Sequence, residues 1–358
     1  MDRVYGIIMA GGVGSRFWPM SNEQKPKQFL DVLGVGKSLL RITYERLLSR
    51  VDQPHVLIVT NEDYIGLVKE QIPELKDHQI LAEPLRRNTA PCLAYASAYI
   101  MQQDPSALCI VSPADHLITD DAVFLSTLDL ALEEAKRDRL VTLGLTPRSP
   151  ETGYGYIEKQ PFSGKNKIFS VQRFCEKPSL EKAEDFLNAG TYLWNSGIFI
   201  WQISSIAKAF QRFQPNLFDR FFSNFNALAS KDNREALKLA FQASDDLSID
   251  YAIMEKSDNL SVVEADFGWT DLGTWGSLGK ELPQDVFGNA VLGKRVSLHH
   301  ASDNIMVFPE NKQVLIEGLE GFIVVDTQDQ LLILRKSHEA HLKNYLLNMS
   351  LDDSNQAE

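Results

Sequence analysis

Up to about residue 145 the chain alternates short unbroken apolar runs with amphipathic stretches, a rhythm that few architectures can accommodate. Strand-like runs fall at 5–10 (Tyr-Gly-Ile-Ile-Met-Ala), 55–60, 107–112 and 140–145, and helical patterns at 38–50, 62–72, 90–103 and 121–136. Strand and helix in alternation predict an α/β fold, a mostly parallel sheet with helices on both faces. Such sheets carry their ligand loops at the carboxyl ends of the strands. The loops after Ala10, Ser112 and Leu145 are therefore where chemistry is expected.

Beyond residue 150 the pattern becomes mixed, with strand-like segments at 166–176 and 192–201 among helices rich in Glu, Lys, Phe and Ala. No Pro, Gly or Ser linker interrupts it, so residues 1–285 read as one domain. After Phe287 short runs at 304–308, 313–316, 322–325 and 331–334 are separated by turn residues. A helix is expected at 338–349. Residues 286–349 thus read as a small β-rich domain ending in a helix, and 350–358 as a polar tail.

Of 358 residues, 44% are apolar and 23% charged, enough to build a core and too apolar for disorder. The 36 Lys and Arg against 48 Asp and Glu leave a net charge of −12, which argues against nucleic acid as a partner, because such binding rests on neutralising phosphates. An anionic ligand would need a locally positive site. Cys92, Cys109 and Cys175 are odd in number and set among apolar residues, as buried free thiols are. No apolar run approaches the roughly 18 residues of a membrane span, and a cytoplasmic protein is expected.

The strongest local signal is Gly11-Gly12-Val13-Gly14-Ser15-Arg16-Phe17-Trp18-Pro19, directly after the first strand. Successive glycines let backbone N–H groups approach an anion without Cβ obstruction, and Ser15 and Arg16 add donors. The continuation Lys25-Pro26-Lys27-Gln28-Phe29-Leu30 brings more cations: residues 13–30 hold Arg16, Lys25 and Lys27 against Glu23 alone. A dinucleotide fingerprint is excluded, since no glycine stands at Phe17 and Pro19 breaks any helix. Gly34-Val-Gly36-Lys37-Ser38 imitates a Walker A loop but has Asp31 where its first glycine belongs. His338-Glu-Ala-His341 has spacing i, i+3, not the i, i+4 of a zinc protease, so these histidines and His299-His300 read as structural or solvated.

The loop and the lysine segment resemble the signature of the sugar-nucleotide pyrophosphorylases, G-G-x-G-[ST]-R-x-x-P followed by K-P-K. The details at 17–30 are similar to the branch that guanylylates mannose 1-phosphate. Further matches follow in family order at 83–91 (Glu-Pro-Leu-Arg-Arg-Asn-Thr-Ala-Pro), 112–116 (Ser-Pro-Ala-Asp-His), 152–157 (Thr-Gly-Tyr-Gly-Tyr-Ile), 174–178 (Phe-Cys-Glu-Lys-Pro), 194–197 (Trp-Asn-Ser-Gly) and 268–273 (Gly-Trp-Thr-Asp-Leu-Gly).

The resemblance implies a Rossmann-like nucleotide-diphospho-sugar transferase fold with a left-handed β-helix-like C-terminal domain. It implies GTP and mannose 1-phosphate as substrates and Mg²⁺ held by Asp115 and Asp271. Arg16, Lys25, Asp115 and Asp271 would be catalytic. Ala10, Gly11, Gly12, Gly14, Ser15, Glu83, Arg87 and Asn88 would face the nucleotide, and Gly155, Glu176, Lys177 and Asn195 the sugar. By itself Asp115, a carboxylate just past a strand at the sheet's carboxyl edge, reads first as a turn or cap residue and second as a metal ligand, and the resemblance reverses that order. A different base and sugar, such as thymidylyl transfer to glucose 1-phosphate, and a non-catalytic GDP-mannose-binding regulator are the alternatives. Longer family members carry a fused isomerase domain, for which this chain leaves no room, so transferase activity alone is expected. A homodimer through the β-rich domain is also expected.

Overall fold

In the computed structural model, residues 3–12, 15–160, 167–228 and 234–356 are described. They divide into two compact units, one of 1–11 and 42–269, the other of 12–41 and 270–358. The second unit therefore takes in the glycine-loop segment and residues 270–285, which the sequence pattern places within a single domain ending at 285.

The first unit is built on a nine-stranded sheet. Its strands in chain order are β1 (Val4–Met9), β2 (Val56–Asn61), β3 (Ile80–Glu83), β4 (Leu108–Pro113), β6 (Leu140–Leu145), β7 (Tyr156–Lys159), β8 (Ile168–Cys175), β9 (Tyr192–Gln202) and β10 (Leu260–Ala265). A two-residue strand, β5 (Leu117–Ile118), lies outside the sheet. The order across the sheet is β3-β2-β1-β4-β9-β6-β10-β8-β7. β2 and β6 are buried along their whole length, as strands covered on both faces must be. Ile7, Val59, Val111 and Trp201 meet in the core with residues of the helix Thr89–Gln103, an apolar segment with ten buried side chains.

The expectation of a mostly parallel sheet requires correction, because the sheet is mixed. β1, β2, β3 and β4 pair in parallel, as do β6 and β10. β9 runs antiparallel between β4 and β6, and β8 antiparallel to β10 and β7. β9 follows the β7–β8 hairpin and the ten-residue helix Leu180–Ala189, and it also pairs antiparallel with β7. Its burial matches that of a parallel strand, so hydropathy alone could not reveal its direction. The reversal has a consequence for the site: Trp194 and Asn195 of β9 pair with Leu145 and Gly144 at the carboxyl end of β6.

In the second unit five short strands alternate between two small sheets. β12 (Ala290–Leu292), β14 (Ile305–Val307) and β16 (Phe322–Asp326) pair in parallel, and β13 (Val296–His299) pairs in parallel with β15 (Val314–Glu317). β11 is the two-residue strand Trp269–Thr270 that precedes them. Successive coils stack Met306, Phe308 and Val324 inside. Buried asparagines seal the corners: Asn304 Nδ2 donates to Asn289 Oδ1 at 2.9 Å and to the Leu319 carbonyl at 2.8 Å, while Asn289 Nδ2 donates to the Ala301 carbonyl at 2.9 Å. β17 (Leu331–Arg335) folds back antiparallel on β16. The β-rich character is as expected.

The final helix, Leu342–Gln356, extends past residue 349, into the segment expected to be a polar tail. Residues 357–358 of that tail lie outside the described residues. His338 and His341 are exposed, and Glu339 between them accepts hydrogen bonds from the backbone N–H groups of Trp275 and Gly276. It closes the start of the helix Trp275–Glu281, whose orphan donors need an acceptor. Cys92 and Cys109 are buried, Cys175 is half-buried, and all three are free thiols. No described helix is long and apolar enough to cross a membrane.

Candidate active site

In the first unit the site grows from strand ends. β1, β2 and β3 run side by side, which brings Ala10, Gly11 and Glu83 to neighbouring positions at the carboxyl edge. Ala10 is pinned by its N–H to the Val59 carbonyl (2.8 Å) and by the Thr60 hydroxyl donating to its carbonyl (2.9 Å). A Cβ on Gly11 would come within 3.3 Å of Glu83 Oε2. Neither Gly11 nor Gly12 is left-handed, so what they supply is room rather than an unusual turn. Glu83 is buried and its Oε1 has no partner in the structure. Burial, partly countered by the Cys92 thiol, pushes its carboxyl up to about 8, so it is protonated at neutral pH.

Arg87 and Asn88 behave differently from Glu83. Arg87 Nε donates to the Phe241 carbonyl at 3.2 Å and Nη2 to the Gln242 carbonyl at 3.4 Å, which ties this side chain to the end of the helix Arg234–Gln242. Asn88 caps the helix Thr89–Gln103 by accepting from the Thr89 N–H at 2.9 Å. It does so with φ 63° and ψ −169°, a region almost reserved for glycine and costing on the order of 1–3 kcal/mol.

Asp115 lies two residues past β4, half-buried beside His116. The Trp269 indole N–H donates to His116 Nδ1 at 3.1 Å. An indole can only donate, so Nδ1 is the lone-pair nitrogen, and the imidazole proton sits on Nε2, which faces Asp115 Oδ1 at 3.8 Å. Trp269 also packs edge-on against Tyr154, and Tyr154 against Trp194, each pair with ring centroids 5.2 Å apart. This aromatic chain joins the Asp115 loop to the 154–155 turn. Gly197, within β9 at φ 70°, lies beside His116, whose Cε1 would be 3.6 Å from a Cβ there.

The four residues expected to face the sugar do converge. β7 pairs with both β8 and β9, which sets Gly155 between Glu176 and Asn195. A Cβ on Gly155 would sit 2.4 Å from Glu176 Oε2 and 3.2 Å from Asn195 Cβ, so only glycine fits. Lys177 Nζ is 2.8 Å from Glu176 Oε1, whereas Oε2 is buried without a partner. The Asn195 amide is held from both ends: Oδ1 accepts from the Thr142 hydroxyl at 2.9 Å, and Nδ2 donates to Asp250 Oδ1 at 3.0 Å. Burial and the nearby Glu176 charge push the Asp250 carboxyl well above the usual carboxylate range. Thr142 and Asp250 join this cluster without having been singled out in the sequence. Asp250 stands in the first turn of the helix Ile249–Ala252, which Ser248 caps.

In the second unit, Arg16 is exposed, and so is Lys25, carried on a tight turn in which Asn22 Oδ1 accepts the Gln24 and Lys25 N–H groups at 2.9 and 2.8 Å. Lys27, grouped with them by sequence as a third phosphate-facing cation, is buried. Its Nζ donates to the carbonyls of Asp271 (2.7 Å) and Leu272 (3.2 Å). It braces the turn that presents Asp271, where Leu272 sits at φ 45° and Asp271 Oδ1 accepts the Gly273 N–H at 3.0 Å. Gln28 Nε2 holds the Gly12 carbonyl at 2.8 Å, and Phe17 packs on Trp275 at 4.9 Å. Trp18-Pro19 is cis. Gly14 lies outside the described residues, and the Ser15 side chain is likewise not described.

The model of the nucleotidyl transferase family matches residues 5–285. The chain belongs to that family, and it is an enzyme of the nucleotidyltransferase type. Within the family it falls with the mannose-1-phosphate guanylyltransferases. The protein of that name from Klebsiella pneumoniae is 35% identical over 342 residues, covering 94% of this chain and 72% of its own length. The xanthan biosynthesis protein XanB of Xanthomonas campestris is 38% identical over 336 residues, covering 93% of this chain and 70% of its own. A solved structure from Thermus thermophilus, described as a mannose-1-phosphate geranyltransferase, superposes with a TM-score of 0.87 at 31% identity over 97% of this chain and 99% of that one.

Proposed function

We propose that the chain transfers a guanylyl group from GTP to mannose 1-phosphate, giving GDP-mannose and pyrophosphate. The observation that carries this reading furthest is the unpartnered Glu176 Oε2 beside Gly155 and the pinned Asn195 amide, an acceptor and a donor pre-set for sugar hydroxyls. The relatives supply the guanine and the mannose.

An oxygen of the sugar phosphate attacks the α-phosphorus in line, and pyrophosphate leaves from the opposite side. The protein's task is to align two polyanions and offset their repulsion. Arg16 would hold the departing β- and γ-phosphates, and Lys25 the α-phosphate and its transition-state charge. Asp115 and Asp271 offer half-buried, hard carboxylate oxygens. Carboxylate oxygens of this kind suit a hard cation such as Mg²⁺, whose remaining positions phosphate oxygens and water would complete. When bound, Mg²⁺ would supply a charge sink and template for the two phosphates. His116, its ring held by the Trp269 indole, lies beside Asp115 with Nε2 3.8 Å from Oδ1.

Left-handed winding of the coil strands and a homodimer through them belong to the same proposal. Light scattering showing a monomer at micromolar concentration removes the dimer. For the reaction, pyrophosphate release from GTP and mannose 1-phosphate, with GDP-mannose as the second product, is the expected result. Binding of GDP-mannose without any turnover overturns it.

A further inference from the structure

We infer that Asp250 is a positioning residue of the sugar subsite, holding the Asn195 carboxamide in the one orientation that presents a donor beside Glu176. This rests on the sugar-phosphate reading above and adds to it a residue that neither the sequence motifs nor the family likeness assigns.

An asparagine amide has one acceptor and two N–H donors and can turn end for end about its last torsion. Here three contacts fix which end is which. The Thr142 hydroxyl, at 2.9 Å, and the Gly197 N–H, at 3.3 Å, both address Asn195 Oδ1, and Asp250 Oδ1 takes one N–H of Nδ2 at 3.0 Å. The Gly197 N–H can only donate, so the oxygen must lie on its side. Asp250 is the acceptor that holds the nitrogen on the other. The second N–H makes no hydrogen bond among the described residues.

A ligand's place is marked independently. Glu176 is 7% exposed at the side chain, its Oε1 is taken by Lys177 at 2.8 Å, and its buried Oε2 fills the place a Gly155 side chain would need and has no hydrogen-bond partner among the described residues. A buried carboxylate oxygen left without a donor suits a hydroxyl group, which can donate to it. Asp250 meets the Asn195 amide and feels the Glu176 and Lys177 charges, all residues read as facing the sugar phosphate, so its effect should fall on that substrate and spare the nucleotide.

The test is steady-state pyrophosphate release by the full chain, varying mannose 1-phosphate and GTP separately. Asp250→Ala is expected to raise the KM for mannose 1-phosphate about tenfold or more, with the KM for GTP within about twofold, because binding geometry at one substrate is lost. Asp250→Asn, whose side-chain oxygen can still accept from Asn195, is expected to bring the sugar-phosphate KM back to within about threefold of wild type. If Asp250→Ala does not fold, Asp250→Ser is measured in its place with the same expected split. A sugar-phosphate KM within about twofold of wild type, or equal rises in both KM values, overturns the positioning role. Wild-type protein that releases no pyrophosphate overturns the underlying reading and this inference with it. An active wild type with an unresponsive Asp250 overturns the inference alone.

Discussion

The Gly155–Glu176–Asn195 cluster of the first unit and the cation-bearing turns of the second are built in opposite ways. In the first, Asn195 is held from both ends and the buried Glu176 is paired on one oxygen only. In the second, Arg16 and Lys25 are exposed, and what is fixed is backbone, by Asn22 at the turn that carries Lys25 and by Lys27 at the turn that carries Asp271. Neutral hydroxyls are told apart by hydrogen-bond direction, which needs a desolvated, prearranged site. Phosphates are bound by charge, which tolerates solvent until substrate arrives.

The comparison can be broken most sharply at the cations. Lys25→Ala and Asp115→Asn are each expected to lower kcat at least about a hundredfold while thermal unfolding barely moves for the exposed lysine. Turnover within a few-fold of wild type in a pyrophosphate assay contradicts the roles given to them. Lys27→Met should behave unlike Lys25→Ala. It leaves two buried carbonyls without their donor, and a loss of about 2–4 kcal/mol in urea unfolding is expected together with reduced activity. An inactive but fully stable Lys27→Met would make Lys27 a phosphate ligand after all.

Gly155→Ala probes the directed side of the comparison. The new methyl displaces Glu176 Oε2, and a rise of about tenfold in the KM for mannose 1-phosphate is expected, with the KM for GTP little changed. Equal effects on both substrates would remove the distinction. The last contrast concerns Glu83. Its carboxyl is neutral in the folded chain up to about pH 8 but ionises in the unfolded chain near 4.5. The folded state's relative stability is therefore complete below pH 4.5 and falls as pH rises toward 8, by up to about 1.4 kcal/mol per pH unit. Glu83→Gln should be flat across that window by denaturant unfolding at pH 5, 6.5 and 8. Parallel curves for the two proteins would show that Glu83 is not held neutral.

Much of this is legible in the sequence because glycine and strand-end acids leave marks. Gly155, Glu176 and Asn195 stand in three separate motifs, and the strand pairings bring them together. Asp115 follows an apolar run and lies past β4, as anticipated. What is not legible depends on direction or burial. β9 has the hydropathy of a parallel strand and runs antiparallel. Lys27 has the composition of a phosphate ligand, yet it is buried against carbonyls 244 and 245 residues away in the chain. Arg87 stands in a matched motif but turns to the end of a neighbouring helix. Asp250 looks like a routine first-turn acid until Asn195 is seen to lean on it.

The central claim is tested most directly by pyrophosphate release with Mg²⁺ over a grid of the four common nucleoside triphosphates and dTTP against mannose, glucose and fructose phosphates. The account predicts that GTP with mannose 1-phosphate turns over fastest, with GDP-mannose as the product. Preference for another base or sugar phosphate, or no release from any pair, would contradict it.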